Sequence, residues 1–250
     1  GGAKIFENTR VCGIETKTAG TSGARQVSGV KVEVTSLVSR EARGLKTISA
    51  EIVVNCAGLW GHRVGKMAGV NVPLHAAEHF YIVTENIGLP STLPVLRDPS
   101  SWIYAKEDAG KMLVGCFEPK SKPRQLNTIP EDFSFGQFEE DWEHFEPAML
   151  NAMHRIPKLE DAGIHTFFNG PESFTPDDRY ILGEAPELKN FYVAAGLNSI
   201  GIQSAGGAGK VLSEWIVNGF PPVDLWDVDI RRFHSFQGNS RYLKERTEES

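Results

Sequence analysis

Four groups of residues in this 250-residue chain have types and spacings that could do chemistry. They are the glycine-dense stretch "FYVAAGLNSIGIQSAGGAGKVLSEWIVNG" from Phe191 to Gly219, the pair His75 and His79, the run "TPDD" from Thr175 to Asp178, and the cysteines Cys12, Cys56 and Cys116. The glycines invite a phosphate-loop reading, which needs G-x-x-x-x-G-K-[ST] because amides, lysine and hydroxyl must meet phosphate and magnesium at fixed positions. Ser204 stands where the first glycine belongs and Val211 where the hydroxyl belongs, so that reading fails. The dinucleotide pattern G-x-G-x-x-G fails as well, because Gln203 occupies a required glycine. What survives is a helix beginning near Ser204 whose small first residues offer unpaired amides and a positive dipole end to a ligand. The plain alternative is that the glycines only let helix and strand pack closely.

The remaining groups carry less. In a strand, His75 and His79 stand ~13 Å apart, too far to share a metal, so no metal site is expected. "TPDD" reads as a Pro-led turn with Asp capping amides, in preference to a pair of acid–base carboxylates. Three widely spaced cysteines suggest neither a disulfide framework nor a paired-cysteine zinc site, and they fit a reducing compartment.

Composition narrows the partners. The chain is 40% hydrophobic and 23% charged, enough for a sizeable core in one large domain or two small ones. A net charge of -6 gives no general attraction for nucleic acid or an anionic membrane, so the expected partner is a small molecule. No apolar run approaches the ~18 residues that suggest a membrane span. The opening "GGAKIFENTR" carries no targeting signal, and the chain reads as the interior of a larger protein.

The elements that must position these residues alternate in type. "VCGIETK", "VSGVKVEVTS" and "TISAEIVVNCAG" read as a β-meander feeding a final strand, with a Gly/Ser-rich and a charged turn between them. Residues Ile52 to Cys56 are nearly all apolar, as in a strand covered on both faces, and Ala57-Gly58 leads into a helical "LWGHRVGKMAG", the βα unit of a doubly wound sheet. Alternation from His79 puts His79, Tyr81 and Val83 on one face and Phe80, Ile82 and Thr84 on the other. A hairpin with an Asp-Ala-Gly turn and a helix through Phe145, Met149, Leu150, Met153 and Ile156 follow. Strand, Pro-Asp turn and strand lead to a buried strand at Phe191 to Ala195, and then to a helix with Val211, Leu212, Trp215 and Ile216 on one side. "RYLKERTEES" reads as a charged, frayed end.

Three segments, "VVNCAGLW", "PESFTPDDRYILGEAP" and the glycine stretch, resemble the flavoprotein family that contains D-amino acid oxidase, and within it the sarcosine and dimethylglycine dehydrogenase branch. "LHAAEHFYIVTE", "FEEDWEHFEPAMLNAMHRIP" and "LWDVDIRRF" extend the resemblance over nearly the whole chain. It implies an α/β (α+β) fold: an incomplete FAD-binding Rossmann-type domain from residues 1–70 and 160–222, an inserted, largely antiparallel substrate domain over 71–159, and an extension over 223–250. Val11 resembles the residue that contacts adenine, and Ala57, Gly58 and Trp60 match the turn that approaches FAD. Asn198, Ser199, Ile200, Gly201, Ile202 and Gln203 would lie against the pyrimidine edge of the flavin. There, helix amides suit the negative charge that develops when flavin takes a hydride.

His79 and Tyr104 match the catalytic His and Tyr of the dimethylglycine-oxidising relatives, although an isolated His in an apolar strand is more often structural. The implied activity is FAD-dependent oxidation of sarcosine or dimethylglycine at the N-methyl carbon, with the one-carbon unit passed to tetrahydrofolate in a separate module. Electrons would go to an electron-transfer flavoprotein or to oxygen, in bacterial cytoplasm or the mitochondrial matrix. The family's N-terminal pyrophosphate loop does not occur in this sequence, so the chain alone is not expected to hold FAD tightly or to be active. The rival reading is a non-catalytic regulatory protein, because the regulatory subunit of pyruvate dehydrogenase phosphatase shares segments similar to "EHFY", "DWEHFEP" and "SAGGAGK".

Overall fold

The computed structural model describes residues 2–19, 23–35 and 42–248, which form two compact units. The first comprises residues 1–74 and 173–243, and the second 75–172 and 244–250. Parts of the Gly/Ser-rich and charged turns expected between the first strands lie outside the described residues.

The first unit opens with an antiparallel meander of β1 (Thr9–Ala19), β2 (Ala24–Thr35) and β3 (Ala42–Ser49). The run from Thr47 to Cys56, expected as one strand, is two. After Ser49 the chain leaves the meander, and β4 (Val53–Asn55) joins a second sheet of order β11-β12-β4. In that sheet β12 (Phe191–Ala195) runs parallel to β4 and antiparallel to β11 (Ile181–Glu184). β4 is not covered on both faces as its apolar run suggests, since Val54 is 39% exposed and Ile52 36%. Among the described residues β4 pairs with β12 alone.

Each parallel strand leads to a helix. A 3-10 turn at Gly58–Trp60 precedes α1 (Gly61–Ala68), which ends at Gly69 in the left-handed conformation (φ 69°) that suits glycine at a helix C-terminus. After β12, residues 196–200 lead into α3 (Gly201–Asn218), so the helix starts three residues before the expected Ser204. Leu212 and Trp215 anchor α3 in a cluster with Leu182 and Tyr192.

The second unit is a six-stranded sheet with the path β10-β5-β8-β7-β6, β9 pairing with β5 off that path. Its strands are β5 (His75–Thr84), β6 (Leu96–Asp98), β7 (Ile103–Asp108), β8 (Lys111–Cys116), β9 (Lys122–Arg124) and β10 (Ile164–Phe174). Residues 160–172, expected with the first unit, belong to this one because β10 hydrogen-bonds to β5. The β7–β8 hairpin turns on Ala109 and Gly110, both at positive φ, as the twist of a two-residue hairpin loop requires. α2 (Trp142–Arg155), capped by the Asp141 carboxylate accepting from the His144 amide at 3.0 Å, packs one face of the sheet. Phe80, Ile82, Val114, Ile103 and Phe145 form that core, all 1% exposed or less. The tail expected to fray instead forms α4 (Ser240–Thr247), with Leu243 buried.

Candidate active site

Two constellations carry the candidate residues, one in each unit. In the second unit, strand alternation sorts side chains between two faces. Even positions of β5 enter the core, so His79 and Tyr81 take the opposite face. Tyr104 on β7 lies on that face too, and its Oη is 3.3 Å from His79 Nε2. Phe117, just beyond β8, completes a triangle of rings, with centroids 5.1 Å from His79 and 5.6 Å from Tyr104. Tyr81 stacks on Phe168 at 4.5 Å. The outcome is an aromatic sheet face with one His–Tyr hydrogen bond in it.

Gly115 makes that bond possible. It pairs directly with Tyr104 across β7–β8, and a Cβ there would lie 2.2 Å from the tyrosine Cζ and Oη. The ring therefore rests on bare backbone. Gly115 was not singled out in the sequence, although an isolated glycine inside an apolar strand is a signal of such close approach.

Burial sets the protonation states. His79 is held below the ordinary imidazole range by loss of water, opposed by the carboxylates of Glu172 and Glu118. Tyr104 is pushed well above the ordinary phenol range, again chiefly by burial, with negative neighbours adding to it. The two are therefore a neutral pair near pH 7. Glu118 is itself held by Cys116 Sγ at 3.4 Å and His144 Nε2 at 3.0 Å.

In the first unit, the parallel pairing of β4 with β12 sends residues 56–60 and 196–203 off the same end of the sheet. Ligands of doubly wound folds bind at such carboxyl ends. Asn55, 2% exposed, shapes the first loop: its Nδ2 donates to the Gly61 carbonyl at 2.8 Å and its Oδ1 accepts from the Ala57 amide at 3.2 Å. Gly58 has φ 52° and open space where a Cβ would be, and half-buried Trp60 leads into α1. A Cβ on Gly61 would stand 3.2 Å from that of Ala195, so the two loops start side by side.

The second loop is clasped to Thr175, which is fully buried. Asn198 Oδ1 accepts from the Thr175 amide at 3.1 Å, and its Nδ2 donates to Thr175 Oγ1 at 3.3 Å. Asn198 and Ser199 both have positive φ (45° and 63°), a conformation that Asn tolerates better than most residues. Ile200 follows as the N-cap, and no side chain caps α3. "TPDD" is a turn, as expected, with Asp177 accepting from the Arg179 amide and bridging to Arg232. Its link to the candidate loop is Thr175, which sequence reasoning passed over.

Close packing accounts for Gly196, where a Cβ would lie 2.6 Å from Leu74 and Thr175 side-chain carbons, but not for the glycines of α3. A Cβ at Gly206, Gly207 or Gly209 would meet nothing within 4 Å, and one at Gly201 would make ordinary contact with Leu197 at 3.4 Å. Ile202 is fully exposed and Gln203 exposed beside them. The start of α3 carries no side-chain cap, so its first amides are available to a polar group. Val11 lies elsewhere in this unit, half-buried on β1 opposite Val32. Among the described residues, no cluster of three His, Cys, Asp or Glu could hold a metal ion.

The first unit thus offers a parallel strand pair running into an uncapped helix start, and the second an antiparallel sheet presenting a His–Tyr pair. The chain belongs to the FAD-dependent oxidoreductase family: the family model described as "FAD dependent oxidoreductase" matches residues 1–215, and the one for the "FAD dependent oxidoreductase central domain" matches residues 218–250. It is 40% identical over 250 residues to mitochondrial sarcosine dehydrogenase of Mus musculus, covering 100% of this chain and 26% of that protein. It is 44% identical over 203 residues to 4-methylaminobutanoate oxidase (formaldehyde-forming) of Paenarthrobacter nicotinovorans, covering 81% of this chain and 24% of that one.

The mitochondrial regulatory subunit of pyruvate dehydrogenase phosphatase from Mus musculus is 35% identical over 252 residues, covering 99% of this chain and 27% of that protein. Among solved structures, L-proline dehydrogenase from P. horikoshii matches with a TM-score of 0.72 at 22% identity, covering 93% of this chain and 55% of that one, which is a likeness of fold. The chain thus spans about a quarter of the length of these curated relatives. No described helix is long and apolar enough to cross a membrane.

Proposed function

We propose that the protein containing this chain oxidises an N-methylated glycine, sarcosine or dimethylglycine, at its N-methyl carbon. The observation that carries this is the half-buried, hydrogen-bonded His79–Tyr104 pair on an aromatic face, both members held neutral. An amine of this kind is protonated at neutral pH, and its nitrogen must be unprotonated before the adjacent carbon can give up a hydride. Neutral His79 can take that proton, and the Tyr104 hydroxyl holds the imidazole in place. Phe117, Tyr81 and Phe168 exclude water and favour a small, partly apolar amine. A bound flavin would supply the acceptor for the hydride.

Ala57, Gly58, Trp60 and residues Asn198 to Gln203 would hold the flavin, with the amides of the α3 start toward its electron-accepting edge, and Val11 would serve the adenine end. Glycine at 201 lets backbone approach a ring closely. Passage of the one-carbon unit to tetrahydrofolate, and of electrons to an electron-transfer flavoprotein or oxygen, rests on the resemblance to the dehydrogenases alone. The regulatory subunit shares a segment similar to "EHFY", which carries His79, so what discriminates the two readings is amine-driven flavin reduction by the full-length protein.

The test is anaerobic mixing of the full-length protein with sarcosine or dimethylglycine. Bleaching of the flavin absorbance is expected, and no bleaching with any secondary or tertiary amine refutes the reading. A second check is Gly201→Leu, which should lower the FAD content of the purified protein while leaving its circular dichroism unchanged.

A further inference from the structure

Beside the His–Tyr pair, the aromatic face carries a carboxylate and an open place. The Glu85 amide donates to the Gly163 carbonyl at 2.7 Å, where β5 has just ended and β10 is about to begin, so these neighbouring strands run in opposite directions. Phe167 belongs to the core, so alternation turns Phe168, Gly170 and Glu172 to the face of Tyr81 and His79. Phe168 marks the register by stacking on Tyr81 at 4.5 Å. Two residues on along β10 and two back along β5, Gly170 comes beside His79, and one step further Glu172 stands diagonal to the imidazole. A Cβ on Gly170 would meet nothing within 4 Å, so the space next to the imidazole is open. Glu172 borders that space and is half-buried. Burial lowers His79 most, and the charge of Glu172 is the larger of the two carboxylate effects that oppose it. The other carboxylate, Glu118, is held by Cys116 and His144.

We infer that Glu172 is the cation-binding residue of this site, holding the positively charged nitrogen of the amine over Gly170, next to His79. This inference rests on the amine-oxidation reading for its substrate and adds a residue that acts on the reacting nitrogen. The positive charge arrives on the protonated amine and moves to His79 with the N–H proton. The C–H electron pair then leaves as hydride to a bound flavin, and a positive charge forms on the nitrogen of the resulting iminium. A carboxylate fixed at that place is complementary to the cation at each stage. It matters most as the iminium develops, because charge that forms where water is scarce is stabilised by an opposite charge already in position.

Two measurements on the full-length protein test it. The first is calorimetric titration with two isosteres that contain no amine: (dimethylsulfonio)acetate, whose sulfur is a permanent cation, and isovalerate, which has a neutral CH in its place. Both have the same shape and the same acid end, so the ratio of their affinities reads the charge alone. Wild type should prefer the sulfonium, and the preference should fall roughly 10- to 100-fold in Glu172→Gln, as loss of a contact to a charged group implies. No binding or no preference in the wild type, or an equal preference in the variant, overturns the proposal. The second is anaerobic flavin reduction by dimethylglycine, which Glu172→Gln should slow at least about 10-fold. An unchanged rate overturns the proposal as well. A preference for the sulfonium that depends on Glu172, without bleaching by any amine, would retain Glu172 as a cation site and reject the amine-oxidation reading.

Discussion

Gly115→Ala should disable the proposed oxidation without touching a reacting group. The added methyl would lie 2.2 Å from Tyr104 Cζ and Oη and 2.6 Å from Cε1. Ordinary carbon contact begins at ~3.5 Å, so the ring must retreat by about 1.3 Å. The β8 backbone cannot yield instead, because its hydrogen bonds to β7 and β5 hold Gly115 from both sides. The phenol hydroxyl already reaches His79 Nε2 at 3.3 Å, and such a bond is lost beyond ~3.5 Å. A misplacement of ~1 Å at a reacting centre costs on the order of 10²-fold in rate.

The expected outcome is a rate of anaerobic flavin reduction roughly 10²-fold lower, with KM shifted much less. Gly115 has no positive φ, so alanine brings no backbone strain and the fold should survive. Removing the ring makes room for the methyl, so adding Gly115→Ala to Tyr104→Ala should do little further harm. Wild-type flavin reduction by Gly115→Ala, or effects of the two substitutions that simply add, would refute the reasoning.

Three further outcomes follow from named contacts. Burial holds His79 below its unfolded pKa of ~6.5, so below that pH the unfolded chain takes a proton that the folded one refuses. The melting temperature of the full-length protein should therefore fall more steeply from pH 7.5 to 5.5 than that of His79→Gln, and parallel curves would count against the buried neutral imidazole. Asn198→Ala forfeits both bonds to Thr175 and leaves alanine at φ 45°, costing about 2 kcal/mol locally. FAD content should drop, more than in Asn198→Gly, and equal content in both would remove backbone conformation from the account. Arg124→Met leaves Glu78, whose side chain is 1% exposed, with only Lys122 at 3.6 Å and Asn169 at 2.6 Å. A loss of about 2 kcal/mol should appear as a lower melting temperature, and an unchanged one would mean that Arg124 is not needed there.

Legibility in the sequence followed range of interaction. Strand alternation from His79 and the helix stripe of α3 were readable because their periods are local, and they hold in the structure down to the face that each residue takes. The family was readable because ordered motifs run through the whole chain. Unreadable were the features set by a partner distant in sequence. β4 looked like a strand with both faces covered, yet Val54 and Ile52 are exposed, and nothing in "EIVVNCAG" records what packs over it. Residues 160–172 belong to the antiparallel unit only because β10 finds β5, some eighty positions earlier.

The same distinction explains why the key contacts of the candidate site went unseen while its residues were named. His79 and Tyr104 could be chosen by type and motif, but their hydrogen bond depends on Gly115, and the phenol would be displaced by any side chain there. Asn198 could be chosen as part of the loop, but its left-handed backbone is tied down by Thr175, in a turn that looked merely structural. In both places a residue outside the candidate set determines where a candidate side chain stands. Variants at Gly115 and Thr175 should therefore impair the protein through geometry. A spectroscopic measure of ring position or of flavin binding should separate that loss from simple unfolding.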